Sequence, residues 1–229
     1  MNKINTTHMK FIAIFFMLID HIAFTLLPTD TTIYLIMRCI GRIAAPLFWF
    51  AFIEGYRHTS NRKQYFLRLF TFGLIMGVFN VFLRYLYQIN ITFWGPNTFL
   101  TLSAMLLFLE IYQSYSKEDG SSAMILKTLA LIGLGYLLIE YLEYGVYIFL
   151  IAPLLYFIND KMLKVLAYCT ASIFLCIIQL NMVQMTMIVS GVFFLFYSDE
   201  KPTKSYKWFF YVFYPLHLWL LLTIRYLFI

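Results

Sequence analysis

Apolar residues run along the chain in long blocks, and short polar connectors separate them. The block edges predict spans at roughly 10–27, 33–54, 65–87, 98–114, 123–139, 143–158, 163–180, 183–197 and 207–228. Several blocks reach the ~20 residues that a helix needs to cross a bilayer. The short alternating segments of a transmembrane barrel are absent. The expected fold is therefore all-α: a polytopic transmembrane helical bundle of about nine spans, forming one membrane domain over residues 1–229. The thinnest division is "QLNMVQ", between the seventh and eighth blocks. One bent element is the alternative there.

The connectors alternate in charge. With the N-terminus in the cytosol, Lys3, Lys10, Arg57, Arg62, Lys63, Arg68, Lys117, Lys127, Lys161, Lys164, Lys201, Lys204 and Lys207 fall on the cytosolic side. Only Arg38, Arg42, Arg84 and Arg225 fall elsewhere. The connectors "PTDTT", "QINITFWGPN" and "EYLEYG" carry no Lys or Arg and are expected outside. Composition agrees: the 229 residues are 62% hydrophobic and 12% charged, against about half apolar in soluble domains. The net charge of +6 is a topology signal here, so no nucleic-acid partner is expected. Cys39, Cys169 and Cys176 lie in apolar runs without metal-ligand spacing or a disulfide framework, and no metal is expected. The first apolar run carries Asp20 and His21 and no A-x-A-like site, so it is expected to remain as the first span. A multi-pass protein of the cell (plasma or inner) membrane results.

Ionisable residues inside such spans cost about 2.5–3.5 kcal/mol each at the centre on insertion scales, which makes them functional candidates. His21 follows Lys10 by eleven residues, about 16 Å along a helix and close to a whole number of turns. Lys10 and His21 therefore share one face, with His21 near the midplane. Neutral histidine is cheaper to bury than a charge and is the common general base near pH 7. A histidine bonded to a neighbouring helix is the plain alternative. Adjacent helical residues do not face each other, so Asp20 is expected to pair with a cation on another span. Arg38 and Arg42, at i and i+4, share a stripe. Arg42 lies about 18 Å from Glu54, at a depth close to that of His21, whereas Arg38 has the option of snorkelling outward. His217 lies about 15 Å in from Lys207, beside Pro215, which removes a backbone hydrogen bond and predicts a kink. Three spans thus deliver His21, Arg42 and His217 to one level. Tyr214 adds a hydroxyl. Arg57, Arg62 and Lys63 suit either topology or a polyanionic phosphate group. Asn97 and Thr98 look like helix N-caps, and Thr101 is placed to line a cavity.

The segments "KFIAIFFMLIDHIA", "RCIGRIAAPLFWFAFIEGYRHTSNRKQYFLRL", "NTFLTL" and "FFYVFYPLHL" resemble, in order, the hallmark segments of TraX-type membrane proteins from about residue 9 to 219. "LEYGVYIFLI" is similar to that family's Asp-Tyr-Gly segment, with Glu143 in place of Asp. The resemblance implies an acetyltransferase, since the namesake proteins N-acetylate conjugative pilin. It also implies kinship with wider membrane acyltransferases that draw acetyl-CoA from the cytosol. In some of those a basic residue precedes a catalytic His by eleven positions, as Lys10 precedes His21, although Arg is usual there. Their later Arg pair is spaced by three, not by four as in Arg38 and Arg42.

The resulting expectation is transfer from acetyl-CoA, as co-substrate, to an amine or hydroxyl of a peptide, protein or envelope glycan in or beside the lipid bilayer. His21, Asp20, Arg42 and His217 are the expected catalytic group. Lys10, Arg38, Arg57, Arg62 and Lys63 are expected to bind CoA, and Tyr214, Asn97 and Thr101 to face the acceptor. A proton-coupled transporter and a structural assembly protein of the envelope are the alternatives. Carriers often show repeated halves, and no repeat is visible.

Overall fold

The computed structural model describes residues 4–87, 97–115, 120–141, 144–200 and 206–228. They form α1 (Thr6–Leu26), α2 (Thr32–Gly41), α3 (Ala44–His58), α4 (Arg62–Tyr87), α5 (Thr98–Gln113), α6 (Ser121–Tyr141), α7 (Gly145–Phe157), α8 (Lys161–Ile178), a 3₁₀ helix (Met182–Val189), α9 (Ser190–Phe196) and α10 (Lys207–Phe228). No strand occurs among the described residues, apart from a single bridge between Ile4 and Tyr197. Five segments are long and apolar enough to cross a membrane: Thr6–Leu26, Thr32–His58, Arg62–Leu83, Lys161–Ile178 and Lys207–Phe228. Four shorter apolar helical segments complete the set. Every predicted span coincides with one of these within four residues. The all-α membrane architecture is as the hydropathy pattern predicts.

Local chemistry fixes the helix starts. The Asn5 side chain accepts from the N–H groups of Thr7 and His8, both at 3.0 Å, and Asp160 accepts from that of Leu163 at 2.7 Å. These short acceptors satisfy donors that a helix N-terminus leaves open. Thr31 caps α2 by accepting from Tyr34 at 3.2 Å while its hydroxyl donates to the Pro28 carbonyl at 2.9 Å. That closes the turn after α1. Leu35, Phe15, Leu166 and Ile177 are exposed, which suits a solvent of acyl chains.

The chain divides into two compact units, Met1–Gly55 with Leu154–Ile229, and Tyr56–Pro153. In the first, α1 packs against both α2 and α10, and α8 packs against the 3₁₀ helix and α9. Met9, Ala13 and Met17 form a buried stripe on α1 at a spacing of four. In the second unit α5 packs between α4 and α6. Asn97 caps α5 by accepting from Leu100 N–H at 3.2 Å and also donates to the Gly73 carbonyl of α4 at 2.8 Å. A Cβ on Gly73 would stand 3.1 Å from the Leu100 backbone nitrogen, so glycine permits that approach.

Two spans are less regular than predicted. The second breaks between α2 and α3, because Pro46 has no N–H to offer the Arg42 carbonyl. At the break Ile43 N–H turns to the Ile40 carbonyl at 3.3 Å, one residue short of the α register, and so does not serve the Cys39 carbonyl. The eighth is 3₁₀ over Met182–Val189. Val183, Thr186, Ile188 and Val189 crowd an α-helix at χ1 there, and the Tyr168 hydroxyl donates to the Met187 carbonyl at 2.5 Å. The seventh and eighth spans are separate elements, joined by a turn in which Leu180 adopts φ 51°. Pro215 lies inside α10, which is continuous over Lys207–Phe228. Glu143 lies outside the described residues.

The irregular spans brace each other. Thr186 Oγ1 donates to the Cys39 carbonyl at 2.6 Å, and Ser190 Oγ donates to the Ile43 carbonyl at 3.0 Å. Donors four residues apart thus meet acceptors four residues apart. Thr186→Val and Ser190→Ala are each expected to destabilise the protein by about 1–3 kcal/mol, because each strands a buried acceptor. Thermal unfolding in detergent measures this, and an unchanged midpoint in both would contradict it.

Candidate functional site

Asp20 and His21 point to different helices. A hundred degrees of helical rotation separates adjacent residues, so Asp20 meets α2 and His21 meets α10. On the α2 side, Arg38 Nη1 donates to Asp20 Oδ2 at 2.6 Å and Arg42 Nη2 donates to both carboxylate oxygens at 2.5 Å. The expected pairing of Asp20 with a cation on another span is thus a pairing with two. Asp20 and Arg42 are both buried. Arg38 also lies over the Phe24 ring at 5.0 Å, which holds its guanidinium inward rather than snorkelling. The formal charges of the three groups sum to +1.

Gly41 makes this contact possible. A Cβ at Gly41 would lie 2.2 Å from Asp20 Cβ and 2.7 Å from its Cα. The two helix backbones therefore touch where the carboxylate enters, with Arg38 and Arg42 on either side. Small residues serve this purpose between membrane helices. The signal available in the sequence was a glycine between two arginines inside an apolar run.

On the α10 side, His21 Nδ1 lies 2.7 Å from His217 Nε2. The two rings are nearly parallel, 9° apart with centroids 5.0 Å apart. The Phe213 ring lies near-parallel to His217 at 5.1 Å and 11°, and the Tyr214 ring stands 5.8 Å from His217. His217 Nδ1 lies 2.8 Å from the Phe213 carbonyl oxygen, one turn back on α10. Both histidines are buried.

The α1–α10 seam runs beyond this pair. Lys10 Nζ lies 5.6 Å from the centroid of the Phe210 ring, and Arg225 Nη1 donates to the Thr25 carbonyl at 3.1 Å. Contacts advance along both helices together, so α1 and α10 are parallel. Lys10 and His21 share the α10-facing side, as their spacing requires. Three predicted residues, His21, Arg42 and His217, thus join Asp20 and Arg38 in one buried cluster on α1, α2 and α10.

Arg57, Arg62, Lys63, Asn97 and Thr101 belong to the second unit. Arg62 pairs with Glu110 at 3.0 Å, donates to Gln113 Oε1 at 2.9 Å and lies over the Tyr56 ring at 4.6 Å. Tyr56 OH donates to the same Glu110 carboxylate at 2.5 Å. Lys63 is exposed and Arg57 half-buried. Asn97 acts as the cap described above, and Thr101 Oγ1 donates back to the Asn97 carbonyl at 3.3 Å.

Sequence reasoning missed a second polar cluster in the first unit. Buried Glu54 on α3 lies 4.0 Å from Lys164 on α8, and the Tyr197 hydroxyl donates to Glu54 at 3.3 Å and to Asp199 at 3.2 Å. Partial burial, then the two carboxylates, push the Tyr197 phenol well above its usual range. Tyr197 therefore stays a protonated donor at all working pH values. Lys161 Nζ donates to the Tyr197 carbonyl at 2.7 Å.

Comparison with known proteins bears on the whole chain. The model of the family described as "TraX protein" matches residues 5–225. The chain is 27% identical, over 232 residues, to the "Probable fimbrial assembly protein FimC, serogroup H1" of Dichelobacter nodosus, covering 93% of this chain and 92% of that protein. No solved structure matches.

Two substitutions test the packing of the cluster. Gly41→Ala is expected to cost about 1–3 kcal/mol or more by forcing α1 off α2. Asp20→Ala is expected to cost about 3–5 kcal/mol by leaving two guanidiniums without their carboxylate. Unfolding midpoints in detergent read both. A wild-type midpoint for either variant shows that α1 and α2 do not meet as described.

Proposed function

The chain belongs to the TraX protein family, and from that premise we propose that it is a membrane acetyltransferase that uses acetyl-CoA. The acceptor is an amine or hydroxyl of an envelope or secreted molecule. The amino terminus of a fimbrial or pilin subunit is the first to test, because the curated relative carries the name of a fimbrial assembly protein. The supporting observation is the buried imidazole of His21, held by His217 beside an Asp20–Arg38–Arg42 triad of formal charge +1.

In this reading His21 removes the proton as the acceptor nitrogen or oxygen attacks the thioester carbonyl. Negative charge grows on the carbonyl oxygen, and Arg42 opposes it from a fixed position in a low-dielectric site. The new N–C or O–C bond forms and the C–S bond breaks. His21 returns its proton to the departing thiolate, so that free CoA leaves as a thiol. Asp20 holds Arg38 and Arg42 in place. Lys10, at the Phe210 end of the seam, is the candidate for the CoA phosphates on the cytosolic side. Arg57, Arg62 and Lys63 lie in the second unit, where Arg62 is already joined to Glu110. Tyr214, whose ring stands 5.8 Å from His217, is the candidate to contact the acceptor, whereas Asn97 and Thr101 hold the start of α5.

The complete internal pairing of Asp20 favours a second reading, an assembly protein in which the cluster only joins helices. Purified protein supplied with acetyl-labelled CoA and a fimbrial-subunit N-terminal peptide separates the two. Label is expected in the peptide, and His21→Ala is expected to lower the rate by about 10²–10⁴-fold without a matching fall in unfolding midpoint. Neither transfer to peptide nor hydrolysis of acetyl-CoA by the wild-type protein would sink the enzyme reading. Full activity in His21→Ala would remove His21 as the base.

A further inference from the structure

The hydrogen bonds around the two histidines have only one direction when both rings are neutral. The Phe213 carbonyl oxygen can only accept, so His217 Nδ1, 2.8 Å away, must carry a proton. A neutral imidazole has one N–H, which leaves His217 Nε2 as an acceptor. His21 Nδ1, 2.7 Å from that nitrogen, must then be the donor. The proton of His21 is spent on Nδ1, and Nε2 is the nitrogen that bears the basic lone pair. Which nitrogen of a histidine is protonated is set by the hydrogen bond that the other makes.

We infer that His217 is a positioning residue that locks His21 in the Nδ1–H tautomer and so dictates Nε2 as the atom that takes the acceptor's proton. The inference rests on the acetyltransferase reading for its consequence in the reaction, but the tautomer itself does not depend on that reading. Aqueous imidazole side chains favour the opposite tautomer, with the proton on Nε2. Without the lock, most of the His21 population would present an N–H where the reaction needs a lone pair.

The chain of bonds also fixes where the transferred proton goes. When His21 Nε2 gains a proton, the Nδ1 proton can pass to His217 Nε2, and the positive charge is shared between the two hydrogen-bonded rings. It goes no further along α10, because a carbonyl oxygen cannot take up a proton. The pair is a closed-ended store. The proton leaves by the way it came, through His21 Nε2 to the thiolate sulfur. Phe213 contributes twice, with its carbonyl as the anchor of the bond chain and with its ring lying parallel to that of His217 at 5.1 Å.

Two substitutions at His217 separate this role from simple packing, because they predict opposite rankings. His217→Gln keeps an oxygen able to accept from His21 Nδ1–H and is expected to retain activity within about tenfold of wild type. It cannot hold the proton, which accounts for a modest loss. His217→Phe keeps an aromatic ring beside Phe213 but offers no acceptor, and is expected to lose about 10²–10⁴-fold, the range of a lost general base. The reverse ranking, with Phe active and Gln inactive, would overturn the lock and leave His217 a packing residue. The second readout needs no turnover. The chain contains four histidines, so ¹⁵N-histidine labelling of the full-length protein in nanodiscs at mildly alkaline pH resolves the His21 signal, with His21→Ala to assign it. Wild-type protein is expected to show protonated Nδ1 on His21, and His217→Phe protonated Nε2. Protonated Nε2 on His21 of the wild type disproves the inference whether or not the protein transfers acetyl groups. Protonated Nδ1 in a protein with no transferase activity upholds the lock and discards the acetyltransferase reading instead.

Discussion

Hydrocarbon cannot solvate a carboxylate, and α2 does so in place of water. Three donor contacts from two guanidiniums converge on Asp20, in a geometry that only a bare Gly41 backbone admits. The dependence runs in both directions. Arg38 and Arg42 share a stripe on which like charges repel, and Asp20 is what lets both stay inside the membrane. Once α1 is fixed against α2 through Asp20, the rotation of α1 is set, and His21, one residue on, must face α10. The histidine pair is therefore a consequence of the ion triad, made through the helical repeat.

This division of labour explains why a polar dipeptide is tolerated in an apolar helix. Burying paired ions is close to neutral in free energy, because desolvation offsets most of the Coulomb gain. The triad contributes specificity of register more than net stability. The histidines are satisfied by each other and by a backbone carbonyl.

Much of this was legible in the sequence, and the reasons differ by feature. Span edges were legible because hydropathy acts over about twenty residues and averages out local detail. The level of His21, Arg42 and His217 followed from counting inward from Lys10, Glu54 and Lys207 at a fixed rise per residue. The divergence of Asp20 from His21 followed from the helical repeat. What failed to show were contacts set by tertiary approach. Nothing local marks Thr186 and Ser190 as donors to carbonyls 147 residues away. Arg62 looked like a free cytosolic cation because its acid, Glu110, lies on another helix. Glu54 served as a depth marker and turned out to be buried beside Lys164. The break in the second span went unread, because a hydropathy pattern registers the apolar run and not the Arg42 carbonyl that Pro46 leaves without a donor.

The histidine contact joins residues 196 positions apart. Chains emerge from the ribosome at about 5–20 residues per second, so α1 waits on the order of 10–40 s in the membrane before its partner histidine exists. Throughout that interval Asp20 can already engage α2, which follows directly, while His21 has no acceptor. Until α10 has been inserted, His21 lacks the ring that lies 2.7 Å from its Nδ1 in the finished fold.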